Sequence, residues 1–120
     1  MSEYLIISTN TDLMRVASEN IVFISSDGNY STLMFTSGET RVLTFQLGQL
    51  EHQLEKQLTN TKGLFIRLGK SLIVNRTFIS YINIPKQQLV LANGQTTSHT
   101  LSASREVLRN LKILIEKELA

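Results

Sequence analysis

Short runs rich in Ile, Val, Leu, Phe and Thr recur along the chain, with turn residues between them roughly every 8–12 positions, a pattern that predicts a mainly-β domain. The predicted strands are Tyr4–Thr9, Asp12–Val16, Ile21–Ser25, Tyr30–Thr36, Thr40–Leu43, Leu64–Leu68, Phe78–Ile84, Gln88–Leu91 and Gln95–Thr100. Between them stand Asn10-Thr11, Asp27-Gly28-Asn29, Ser37-Gly38, Pro85-Lys86 and Asn93-Gly94. Asp-Gly and Asn-Gly are hairpin signals because both central positions of a type I′ turn need a positive φ.

Two segments carry a helical period instead. Leu47, Leu50, Leu54 and Leu58 line one side of a helix, with Glu51, His52, Glu55 and Lys56 between them, so this helix is expected to lie against the sheets as scaffold. The second helix is predicted over Ala103–Leu119, with Val107, Leu108, Leu111, Leu114, Ile115 and Leu119 as its apolar stripe and Ser102 as its N-cap. That N-cap puts Arg105 at the third helical position, where a capping box would have an acid. Arg105, Arg109 and Lys112 share a face. A cation in the first turn is unfavourable for the helix dipole, but the free N–H groups there suit a phosphate. Arg105 therefore points to an anionic partner.

At 120 residues the chain is expected to be one domain, 1–120, and 42% hydrophobic against 18% charged residues is enough to fold it. No cysteine is present, which excludes disulfides, thiolate zinc sites and cysteine nucleophiles and suits a reducing compartment. The start lacks a signal peptide or membrane segment, so a cytoplasmic location is expected. A net charge of +2 says little, but its distribution says more: the seven basic residues from Lys56 to Arg105 are joined by no Asp or Glu, and all ten acids lie outside that stretch. Such a stretch is either a solvated surface or one that faces a polyanion.

The chemistry-bearing side chains do not assemble into an enzyme. Gly69-Lys70-Ser71 ends like a phosphate-binding loop, but the first glycine of that motif would have to be at 64, where Leu64 stands. His52 and His99 have no metal-ligating neighbour at a recognised spacing, so no metal or cofactor is expected. Asp27 and Glu39 flank glycine turns and are explained by turn chemistry.

Several stretches, in order, resemble the LytTR family of bacterial DNA-binding regulators. Asn20-Ile21-Val22-Phe23-Ile24-Ser25-Ser26-Asp27-Gly28-Asn29-Tyr30 is similar to the family's opening strand and Gly-Asn-Tyr loop. Phe65-Ile66-Arg67-Leu68-Gly69-Lys70-Ser71-Leu72-Ile73-Val74-Asn75 resembles its most specific signature, usually Phe-x-Arg-x-His-Arg-Ser-x-x-Val-Asn. Ile79–Ile84, the run Leu89 to Gly94, and Ser102-Ala103-Ser104-Arg105 are similar to its later strands and to its last step into a helix.

The resemblance implies an elongated stack of antiparallel sheets with one internal amphipathic helix and a C-terminal helix, whose loops enter successive major grooves of double-stranded DNA. It places base contacts at Asn29, Tyr30, Lys70 and Arg105, since lysine and arginine suit the O6 and N7 acceptors of guanine. Ser71, Ser102 and Ser104 would contact phosphates, and Arg67, Arg76, Lys62 and Arg109 are secondary members of the footprint. Arg67 and Asn75 also fit a structural role, hydrogen bonding loop backbone. Gly69 and Lys70 replace the usual His-Arg pair, and lysine lacks the bidentate fork of arginine. Ile24 replaces an acid frequent in that strand. The resemblance further implies a transcription regulator that binds paired sites as a homodimer, in two-component signalling, with a receiver domain or sensor kinase upstream; the Met1 start also allows a stand-alone regulator. The competing reading is a protein-interaction module of the same fold that has lost DNA binding.

Overall fold

The computed structural model describes residues 3–93 and 97–119. Its contacts divide the chain into two compact units, one ending at Arg76 and the other starting at Thr77.

The first unit opens with a hairpin of β1 (Tyr4–Ser8) and β2 (Leu13–Ala17). There follow β3 (Ile21–Ser26), β4 (Ser31–Phe35), β5 (Thr40–Leu43), α1 (Leu47–Gln57), β6 (Phe65–Leu68) and β7 (Leu72–Asn75). The last five strands form one antiparallel sheet in the order β5-β4-β3-β7-β6. Alternation along β1 leaves Leu5 and Ile7 buried and Tyr4, Ile6 and Ser8 exposed, as a strand with one covered face requires. The predicted leucine stripe is buried in full, and Leu47, Leu50, Leu54 and Leu58 join Leu5, Ile7, Ile24, Leu33 and Ile73 in a single core.

Polar side chains fasten α1 to β1. The Gln57 amide accepts from the Ile6 N–H (2.8 Å) and donates to the Ile6 carbonyl (2.9 Å), pairing with β1 much as another strand would. The Glu3 carboxylate accepts from the Thr61 hydroxyl (2.8 Å) and from the Asn60 N–H (3.1 Å). At the other end of the helix, Gln49 accepts from the Gln46 N–H (2.8 Å).

Strand β7 was not among the predicted strands. Leu72-Ile73-Val74-Asn75 is buried at all four positions and sits between β3 and β6, so it shows a continuous apolar run without the alternation that marks a half-exposed strand. Asn75 completes the strand by donating its side-chain N–H to the Ile21 carbonyl (3.0 Å).

The second unit is an antiparallel meander of β8 (Ile79–Asn83), β9 (Gln88–Asn93) and β10 (Thr97–Ser102), with α2 (Arg105–Glu116) packed on β8. Leu89, Leu91, Leu108 and Leu111 are its buried residues among those described. Gly94, and the Gln95-Thr96 start expected for the last strand, lie outside the described residues. The apolar stripe is narrower than its sequence pattern. Burial stops after Leu111, Val107 and Ile115 are half-buried, and Leu114 and Leu119 are exposed. The cap also differs: Ser104, not Ser102, is the N-cap, and its hydroxyl accepts from the Val107 N–H (3.2 Å). Ser102 is still paired in β10, opposite Gln88, so the chain cannot turn into the helix until two residues later. Arg105 is thus the first helical residue and not the third.

Candidate nucleic-acid interface

In the first unit, the β3–β4 and β6–β7 connections emerge at the same end of the five-stranded sheet. Ser25 pairs with Leu72, Ser26 with Ser31 and Leu68 with Leu72, so both chain reversals lie just beyond one edge of the ladder. They are joined there by the Ser26 N–H, which donates to the Ser71 carbonyl (2.9 Å).

Each loop is closed by its own side chains. In the first, Gly28 takes a φ of +110°, a region that glycine enters without steric cost. The Asp27 carboxylate accepts from the Tyr30 N–H (3.1 Å), while the Ser26 hydroxyl accepts from the Gly28 N–H and donates to the Tyr30 carbonyl (both 3.1 Å). With the loop closed by these bonds, Asn29 and Tyr30 are exposed, Tyr30 to 49% just before β4 begins. In the second loop, Gly69 takes a φ of +65° and Lys70 and Ser71 are exposed.

Arg67 lies beneath this second loop. Its Nε donates to the Gly69 carbonyl (2.9 Å), Nη2 to the Lys70 carbonyl (3.4 Å) and Nη1 to Glu51 on α1 (2.8 Å). The guanidinium is therefore neutralised by a carboxylate and spent on loop backbone. Arg76 is half-buried and follows β7 at the end away from Ser71, with its N–H on the Leu64 carbonyl (2.8 Å). The first unit thus brings together Asn29, Tyr30, Lys70 and Ser71, and leaves Arg76 apart from them.

In the second unit the polar residues gather where β10 enters α2. Ser102, Ser104, Arg105 and Arg109 are all exposed. The junction is tied to the β8–β9 turn: the Ala103 N–H donates to the Gln87 carbonyl (3.2 Å), and Arg105 Nη2 donates to the Pro85 carbonyl (3.1 Å). Gln87 has a φ of +54°, and the Asn83 carboxamide accepts from the Lys86 N–H (2.9 Å), which together fix that turn. One of the five N–H donors of Arg105 is engaged there, and among the described residues its charge is paired with no acid. The exposed Lys86 is adjacent in sequence to the carbonyl that Arg105 grips, a proximity that the linear spacing does not reveal.

Sequence reasoning missed Ser26 and Glu51, and it reached Lys86 only as one of the seven basic residues from Lys56 to Arg105. Ser26 bonds the backbone of Ser71 and Glu51 bonds the Arg67 side chain, both across distant positions, and no local pattern announces them. Among the described residues there is no group of three or more His, Cys, Asp or Glu side chains able to hold a metal, and no helix is long and apolar enough to cross a membrane.

A family model described as the LytTr DNA-binding domain matches residues 11–116. Among solved structures, the fold is similar to the LytTr DNA-binding domain of a Bacillus cereus protein described as a methyl-accepting/DNA response regulator. The TM-score is 0.66 at 17% identity, over 94% of this chain and 96% of that one. No curated protein matches the sequence.

Proposed function

The chain belongs to the LytTR family of DNA-binding domains, and from that membership we propose that it is the sequence-specific DNA-reading domain of a bacterial transcription regulator, whose loops enter successive major grooves. The observation that carries this reading is the Ser26–Ser71 hydrogen bond, which merges two loops into one surface from which Asn29, Tyr30, Lys70 and Ser71 project.

In this reading Lys70 donates to guanine O6 or N7, and Asn29 and Tyr30 meet base or sugar edges beside it. Ser71 fixes register on the phosphates. In the second unit Arg105 reads bases from the first turn of α2, and Ser102, Ser104 and Arg109 hold the backbone, where exposed N–H groups and the dipole favour phosphate. Arg67 and Arg76, half-buried, contribute at most to the long-range field. The domain works without metal or cofactor, in the cytoplasm, as a homodimer on paired sites, under a receiver domain or sensor kinase.

The test is selection of bound sequences from a random duplex library, followed by titration of the winning duplex at several salt concentrations. The expected result is an enriched site with affinity that falls as salt rises, and weaker binding by both Lys70→Ala and Arg105→Ala. If no duplex is retained while a protein partner is captured, the protein-interaction reading takes its place.

A further inference from the structure

The loop that carries Lys70 is not rigid by composition. Gly69 lacks a Cβ and sits at a φ of +65°, so its backbone has several states open to it, and lysine itself is a long flexible side chain. Its ends are fixed by the Leu68–Leu72 pairing and the Ser26–Ser71 bond. Its middle is restrained by Arg67, whose planar fork holds the Gly69 and Lys70 carbonyls along one side and Glu51 along another. Because the fork is flat and rigid, fixing one edge fixes the others. Glu51 in turn stands on the firm part of α1, between Leu50 and Leu54, both buried in the core.

We infer that Glu51 is a positioning residue for DNA reading: through Arg67 it sets the direction in which Lys70 leaves its loop. The inference rests on the reading of Lys70–Ser71 as a DNA contact. It also explains an acid beside a DNA-facing loop, which simple electrostatics would remove. Without Glu51 the Arg67 fork is free to turn toward solvent or toward any phosphate, so the middle of the loop loses this restraint and the surface gains a mobile cation.

The two effects have opposite signs, and this makes the inference testable. Removing one acid raises the formal net charge from +2 to +3, which strengthens binding to any duplex. Losing the restraint weakens binding only where Lys70 has a base to find. The side chains of the pair are about one-third exposed (30% and 35%), so its loss has little effect on folding.

The experiment compares the full chain with Glu51→Ala, Glu51→Gln and Lys70→Ala on two probes: the duplex selected by the unaltered chain and a shuffled duplex of the same length. For Glu51→Ala the ratio of the two affinities is expected to fall by roughly tenfold, part of the loss from deleting the Lys70 contact itself. Shuffled-duplex affinity holds or rises, and the unfolding transition does not move. Glu51→Gln keeps an oxygen that can accept from Arg67 at the same net charge as Glu51→Ala, so it recovers part of the ratio. Wild-type behaviour of Glu51→Ala beside a weakened Lys70→Ala would overturn the inference and leave the DNA reading intact. Equal losses on both duplexes with a lowered unfolding temperature would also overturn it, as a role in folding. Selection of no duplex, or a Lys70→Ala variant that binds unchanged, would remove the DNA contact and the inference with it.

Discussion

The two units present their exposed polar residues by different means. Through residue 76 the chain has seven cations against seven acids, and its exposed loops are shaped by an internal mesh from Ser26, Asp27 and Arg67. From residue 77 there are five cations against three acids, and the exposed arginines stand on a helix whose start is held by one cap and one turn. The first arrangement favours geometry and the second favours charge. Discrimination between sequences should depend more on the first unit, and salt-dependent affinity more on the second.

The largest test of this contrast is to remove its scaffold. Leu50→Ala, at the centre of the core beneath the first unit's sheet, should lower stability by about 2–5 kcal/mol in chemical denaturation and take the loop geometry with it. At the surface, Lys70→Ala should lose about 1–3 kcal/mol of preference for the selected duplex over a shuffled one. Arg109→Ala, by contrast, should weaken both duplexes alike and reduce the salt slope by about one. If Arg109→Ala alters sequence preference as strongly as Lys70→Ala does, the division between geometry and charge does not hold. The second unit's helix start gives a finer measurement. Ser104→Ala should cost about 1 kcal/mol through loss of the bond to Val107, and Ser102→Ala should leave stability nearly unchanged. The smallest effect is expected at the exposed Lys112–Glu116 pair, where Lys112→Ala should shift stability by no more than about 0.5 kcal/mol.

How far the sequence could be read follows the same contrast. Local signals succeeded where the structure is made locally: the alternation in β1 and the leucine period of α1 are each set by a few neighbouring residues. The chain does reverse at Asp27-Gly28, although through the four residues 27–30 with a positive φ at Gly28 and not at Asp27, so not as a two-residue type I′ turn. They failed at β7, whose burial depends on strands far away in sequence and whose apolar run has no period of its own. The α2 cap lay between two serines, and only the pairing of Ser102 with Gln88 decides for Ser104. At the candidate site, exposed residues such as Tyr30 and Lys70 could be picked out by type and motif. The residues that aim them could not, because Ser26 and Glu51 act through bonds to Ser71 and Arg67, 45 and 16 positions away.

The Gln57 amide that grips Ile6 bears on how the protein behaves when it is crowded. A bare strand margin is a template on which further chains can stack, and β1–β2 is a ribbon of only two strands. By occupying both backbone groups of Ile6, one side chain removes the docking point at the middle of that margin. Gln57 thus closes that point of the margin as well as fastening α1.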